Sequence, residues 1–343
     1  MTTVRQRGEK VRSFIIEHVE RAPAEIATVV SKKFAISRQA ANKHLKKLVE
    51  EGALVATGTT RARTYKLKAL VTWRESFVRS PELAEDVVWR ENIAPRLDHL
   101  PDNVMDIWRY GFTEMFNNAI SHSDGTTIVV HLTRTAASTE ILILDNGVGI
   151  FRKIQKALSL LDERQAVLEL AKGKITTDPK NHTGEGIFFS SRMFDRFLII
   201  SDETIFSHDF GEKEDWIMEI SKRDSGTRVL MILNNHTSRT AKKVFDSFTA
   251  EDDYGFSKTV VPVRMAQYGE DLLISRSQAK RLLTRVDRFK IVVFDFSGVT
   301  AIGHAFADEI FRVFQNQHPD LEIHDVNANK DIKNMIERAR HVS

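Results

Sequence analysis

Four groups of residues combine reactive side chains and glycines at spacings that chemistry can use. Glu114 and Asn118 stand four apart in "WRYGFTEMFNNAISHSDG", so on a helix they share one face. That face lies about 100° round from a stripe of Trp108, Phe112, Met115 and Ala119. A carboxylate and an amide one turn apart can hold a hydrated cation and orient a water. Asp145 closes the apolar run Ile141 to Leu144, and Asn146, Gly147, Val148 and Gly149 follow it. As turn chemistry, Asp-Asn-Gly is a loop. As a site, it is an acceptor at a strand end beside backbone that a ligand can approach closely. Gly184 and Gly186 bracket Glu185 just before a helical stretch, where backbone N–H groups can face an anion. Gly226-Thr227 opens a later apolar run.

These groups need a scaffold, and the apolar pattern supplies one. "TIVVHL" hairpins into "EILILD", and "RFLIIS", "TIFSHDF", "DWIMEIS" and "GTRVLMIL" are further antiparallel strands. A polar helical stretch spans Phe151 to His182. The order E-x-x-x-N on a helix, D-N-G-x-G after a strand, G-x-G before a helix and S-G-T before a strand resembles the Bergerat-fold (GHKL) ATP-binding domain. Gyrase, the MutL mismatch-repair proteins, histidine kinases and anti-sigma kinases share that domain. The resemblance covers roughly Trp108 to Leu233, and it implies ATP and magnesium as cofactors. It implies that Asp145 accepts from the adenine amino group, supported by the Thr227 hydroxyl. Gly147 and Gly149 would let base and ribose approach, and Asn118 would ligate magnesium bridging the phosphates. Gly184 and Gly186 would form the phosphate-facing turn at the end of a lid, about residues 151 to 183. Glu114 holds the position of a general base for the attacking water. Glu185 between the glycines and Phe188 beyond them depart from the family pattern, so phosphate contacts differ in detail. Lys172 and Lys174 are candidates for the γ-phosphate.

The first 70 residues have a different character. They carry 15 Lys and Arg against 6 Asp and Glu, leaving 35 basic and 41 acidic residues for the rest. A basic segment on a mildly acidic body points to nucleic acid as its partner. Val11, Phe14, Ile15 and Val19 have helical spacing, and a second helix is expected from Pro23. Ser37 caps a third, "SRQAANKHLKKLVEEG", and "ALVATGTTRARTYKL" forms two short strands. Helix, helix, turn, helix, hairpin is the order of a winged helix-turn-helix. The segment resembles the winged-helix DNA-binding domains of bacterial repressors. On the third helix Ala40, Ala41, Leu45 and Leu48 suit packing. Ser37, Arg38, Gln39, Asn42 and Lys43 are then left to meet DNA, and Arg61 and Arg63 on the hairpin to meet phosphates or the minor groove. One such unit reads a short half-site, so a homodimer is expected.

Residues 71–105, charged and broken by Pro81, Pro95 and Pro101, are expected to be a helical connector. From about residue 251, strands and helices alternate, as in a small α/β domain with a largely parallel sheet. "VVFDFSGVTAIGHAFADEIF" resembles the STAS domain of anti-sigma factor antagonists, or a STAS-like relative often found beside ATP-binding domains. Its helix begins Gly303-His304-Ala305 without the hydroxyl of a phosphoserine switch. Asp308 and Glu309 read as solvated helix-surface carboxylates. The segment is expected to be an interaction or signal-sensing module.

At 343 residues, with 42% apolar and 28% charged residues, the chain is long enough for several cored domains. The expected division is 1–70, 71–105, 106–250 and 251–343. The fold class is multidomain, α+β and α/β: a winged helix, an α/β sandwich with a mixed antiparallel sheet, then a STAS-like domain. With no cysteine, disulfides and thiolate metal sites are excluded. No apolar leader and no run of membrane-spanning length is present, which points to the cytoplasm and no membrane partner. Function is expected to be that of an ATP-binding, nucleotide-controlled DNA-binding regulator, with an anti-sigma-type serine kinase or a DNA-stimulated ATPase in DNA processing or defence as the alternative.

Overall fold

In a computed structural model, residues 4–59, 62–175, 184–211, 216–219, 225–250, 255–267 and 272–341 are described. Helices α1 (Val4–His18), α2 (Ile26–Phe34) and α3 (Arg38–Glu50) precede an antiparallel hairpin of β1 (Leu54–Thr57) and β2 (Thr64–Leu67). α2 begins later than Pro23 suggests. The Pro23 carbonyl instead accepts from the Tyr65 N–H at 3.0 Å and ties the hairpin down. Ala35 takes a left-handed φ of 50° and turns the chain into Ser37, whose Oγ accepts from the Ala40 N–H at 3.1 Å. That contact is an N-cap of α3. Val11, Ile15, Ile26, Val30, Ala41, Leu45 and Leu48 close a separate apolar core.

Residues 71–78 correct the expectation of a helical connector. They form an edge strand, β3 (Val71–Val78), antiparallel to β4 (Thr127–Arg134). Val71, Trp73 and Phe77 pack on the main core from one face, and Thr72, Arg74, Ser76 and Val78 are exposed on the other. The period of two is there, but charged residues on the open face disguise it. Only Lys68 to Leu70 separate this strand from the hairpin. Helical turns follow at α4 (Glu85–Val88), Trp89–Ile93 and Ala94–Arg96, then the long α5 (Asp102–His122).

Beyond β4 come β5 (Ser138–Asp145), α6 (Ile150–Ala157), α7 (Glu163–Lys172), α8 (Gly186–Met193), β6 (Arg196–Ser201), β7 (Thr204–Asp209), β8 (Trp216–Glu219), β9 (Thr227–Asn234) and α9 (Ala241–Ser247). The sheet runs β3-β4-β5-β9-β6-β7-β8. Each of these pairings is antiparallel rather than mixed. α5 buries Trp108, Phe112, Met115 and Ala119, so its neighbouring face remains for Glu114 and Asn118.

The last segment holds β10 (Lys258–Pro262), α10 (Arg276–Leu283), β11 (Ile291–Asp295), α11 (His304–Asp308), α12 (Gln315–Gln317), β12 (Glu322–Val326) and α13 (Lys330–Arg340). Its sheet, β10-β11-β12, is parallel throughout, with helices in the crossovers. One apolar core extends from Val88 to Ala339 and joins this segment to the larger sheet. At the seam Phe188 and Phe189 of α8 lie 4.4 and 4.9 Å from the Phe256 ring. Asp308 and Glu309 are buried, contrary to the solvated reading. Arg312 and Arg276 bond Asp308, and the Arg312 contact above all holds its carboxyl below the usual range. Among the described residues, no helix is long and apolar enough to cross a membrane.

Candidate nucleotide and nucleic-acid sites

Asp145 ends β5 where alternation turns it inward while Asn146 turns outward. The Asn146 side-chain oxygen Oδ1 accepts from the backbone N–H groups of Thr126 and Thr127 at 2.8 and 3.0 Å, which closes the end of the hairpin. Asp145 Oδ1 accepts from the N–H groups of Gly147 (2.9 Å) and Thr227 (3.2 Å). Burial pushes its carboxyl up from the ordinary 3.8, and hydrogen bonds from Gly147 and Thr227, including the Thr227 hydroxyl, work against that rise. The same hydroxyl accepts from the Ile150 N–H at 3.1 Å. Thr227 therefore ties the end of β5 to the start of α6.

These residues face a cavity of about 270 Å³, lined by Glu114, Asn118, Asp145, Gly184, Gly186 and Thr227 among others. Elements far apart in sequence thus converge on one space, near the lower size limit of small-molecule sites. Asp145, Ile143, Ile150, Thr227 and Val229 supply an acceptor amid apolar walls. Glu114, Asn118 and the glycine turn supply polar groups. Gly186 begins α8, whose first N–H groups have no partner within the helix. The Gly184 carbonyl accepts from the Ile175 N–H at 3.1 Å, and burial raises the Glu185 carboxyl against the opposing Lys174 charge.

Gly147 and Gly149 stand behind the wall rather than on it. A Cβ on Gly147 would run into the Ser123 carbonyl, and one on Gly149 would fall 2.6 Å from Ser201 Oγ at a φ of +86°. Both glycines serve close packing of the chain on itself. Lys172 is not at the cavity at all: it is buried against Glu169 at 2.6 Å. Lys174 donates to the Arg288 carbonyl at 2.9 Å. Asn117, His122, Ser123 and Lys153 line the cavity and were not singled out from sequence. His122 was legible, since it continues the Glu114–Asn118 row by four residues. Lys153, held by Asp124 at 2.6 Å, gave no comparable signal.

Among the described residues no group of three or more His, Asp or Glu could hold a metal ion. Magnesium bound together with phosphates needs only one or two protein oxygens. The Asn118 amide oxygen and the Glu114 carboxylate are hard donors suited to that task.

On α3, Arg38, Gln39, Asn42 and Lys43 are exposed, and Ser37 is exposed but engaged in the cap. Arg63 is exposed beside β2, and Arg61 lies outside the described residues.

Residues 278–333 match the model of the STAS-like domain of unknown function (DUF4325). The C-terminal segment is therefore similar to STAS domains over the span from α10 into α13. No match to the chain is found among curated proteins or among solved structures.

Proposed function

We propose that the chain is an ATP-binding, nucleotide-controlled DNA-binding regulator with a Bergerat-type cavity and an N-terminal winged helix. The observation that carries this reading is the meeting of Glu114, Asn118, Asp145, Gly184, Gly186 and Thr227 around one cavity. In this reading Asp145, kept in place by Thr227, accepts from the adenine amino group between Ile150 and Val229. The N-terminus of α8 faces the phosphates. Asn118 holds magnesium, whose charge would offset that of the phosphates. Glu114 orients a water and takes its proton if turnover occurs.

The α3 face of Arg38, Gln39, Asn42 and Lys43 reads DNA, with Arg61 and Arg63 on flanking phosphates. Direct continuation of the hairpin into β3 supports coupling, since a shift of the sheet edge moves the DNA-binding unit. A coupling of about 1–3 kcal/mol is sufficient for control. Residues 251–343 receive a protein partner or signal, and a homodimer in the cytoplasm matches two half-sites.

A second reading, an anti-sigma-type serine kinase or a DNA-stimulated ATPase, is favoured by the packing of Glu114 against Gly186. DNA titration with and without ATP and magnesium tests the regulator: affinity is expected to change with nucleotide, and an unchanged affinity removes the switch. Labelled phosphate on a partner protein would favour the kinase, and free phosphate released on adding DNA the ATPase.

A further inference from the structure

Residues Lys172 to Ile175 run from the end of α7 to the cavity, and the C-terminal unit grips them at successive positions. The Lys172 ammonium has three N–H donors and three partners: Glu169 Oε1 at 2.6 Å and the carbonyls of Thr284 and Arg281 at 2.9 and 3.3 Å. Lys172 and Glu169 are each only 1% exposed. A buried pair persists where its remaining groups are all bonded, and it is strongly destabilising when one member is removed. The Lys172 carbonyl accepts from Thr259 Oγ1 at 2.6 Å. Gly173 has a φ of +86°, and a Cβ there would lie 2.6 Å from the Phe256 ring.

The Lys174 carbonyl accepts from Arg285 Nη2 at 2.7 Å, and Arg285 Nε lies 3.7 Å from Glu169. Ile175 then lines the cavity, and its N–H meets the carbonyl of Gly184, the first glycine of the turn. Thr259, Arg281, Thr284 and Arg285 therefore hold the cavity rim through residues that do not line it. The other end of α7 is anchored as well, through Glu163, which lies 3.7 Å from Arg152 and accepts from Thr204 at 3.3 Å.

We infer that the C-terminal STAS-like unit positions the rim of the nucleotide cavity through Lys172 and Arg285, so that what this unit binds and nucleotide affinity are coupled. This rests on the nucleotide reading of the cavity. Coupling of this kind is reciprocal: nucleotide must tighten the same contacts that tighten the site.

The test uses the full chain, with calorimetry of ATP and magnesium and hydrogen exchange of the amides between Arg281 and Phe289. Wild type is expected to bind, and nucleotide to slow exchange in that stretch. Arg285→Gln is expected to weaken binding about fivefold or more, the lower edge of typical coupling, and to abolish the remote protection while protection near Asp145 and Thr227 remains. Thr259→Val, which removes a single hydrogen bond, is expected to act in the same direction and serves if Arg285→Gln does not fold. Nucleotide binding without any change at Arg281 to Phe289, or variants that keep full affinity and full protection, would overturn the inference. A wild type that binds no ATP sinks the nucleotide reading, and this inference with it.

Discussion

The Glu114 carboxylate occupies the space that a Cβ on Gly186 would need. A residue of α5 thus rests directly on the backbone that opens α8, and the second glycine of the turn is required by a neighbouring side chain. Gly186→Ala is expected to fold, because a flexible carboxylate can swing aside, but to move Glu114 from its position. ATP turnover, measured as phosphate release, should fall as far as in Glu114→Gln, while nucleotide binding persists in both. Retained turnover in Glu114→Gln would discard that residue as the base.

In the proposed reading, Asp145 ties nucleotide affinity to pH. Burial raises its carboxyl above the ordinary 3.8, so the folded chain holds this proton at pH values where the unfolded chain has lost it. Its ionisation therefore lowers stability as pH rises from the ordinary value through the raised one, and the penalty is constant above that. Adenine recognition needs the ionised acceptor and runs the other way: affinity should fall as pH drops through the raised value. Asp145→Asn should remove this dependence and weaken ATP by the ~1.5–3 kcal/mol of a hydrogen bond to a charged group. Calorimetry across a pH series reads both effects, and equal affinity for the variant would undo the assignment.

Arg38 and Lys43 are exposed on α3 and lie outside the small core of Ala41, Leu45 and Leu48, so alanine at both leaves that core intact. DNA affinity should drop, and each lost phosphate contact should reduce the salt-dependence slope by about one. Fluorescence anisotropy at several salt concentrations separates this outcome from unaltered binding, which would remove α3 as the reading helix.

The shared core predicts that the chain cannot be cut cleanly at the change of character near Ala250. A fragment ending there strips Phe256 from Phe188 and Phe189 and leaves Lys172 without the Thr284 and Arg281 carbonyls. It is expected to melt at lower temperature than the full chain and to bind an apolar dye. An unchanged melting transition for residues 1–250 would show that the seam adds nothing.

Much of the site was legible because its determinants are local. A spacing of four places Glu114 and Asn118 on one helical face, the end of an apolar run places Asp145 at a strand terminus, and Ser37 marks where α3 begins. Strand and helix alternation after residue 251 likewise shows the parallel sheet, since only crossovers of that length join parallel strands. Residues 71–78 escaped because an edge strand buries one face only, and its partner Thr127–Arg134 lies across a long helix.

Sequence by itself singled out Glu114, Asn118, Asp145, Gly184, Gly186 and Thr227, which meet at the cavity, because each motif depends on a few neighbours along the chain. Tertiary structure alone decided what their surroundings do. From sequence Lys172 is a candidate for the γ-phosphate, and it is buried away from the cavity instead because Glu169 and carbonyls more than a hundred residues later close over it. Burial is a property of what packs against a side chain, and that partner is invisible to local spacing.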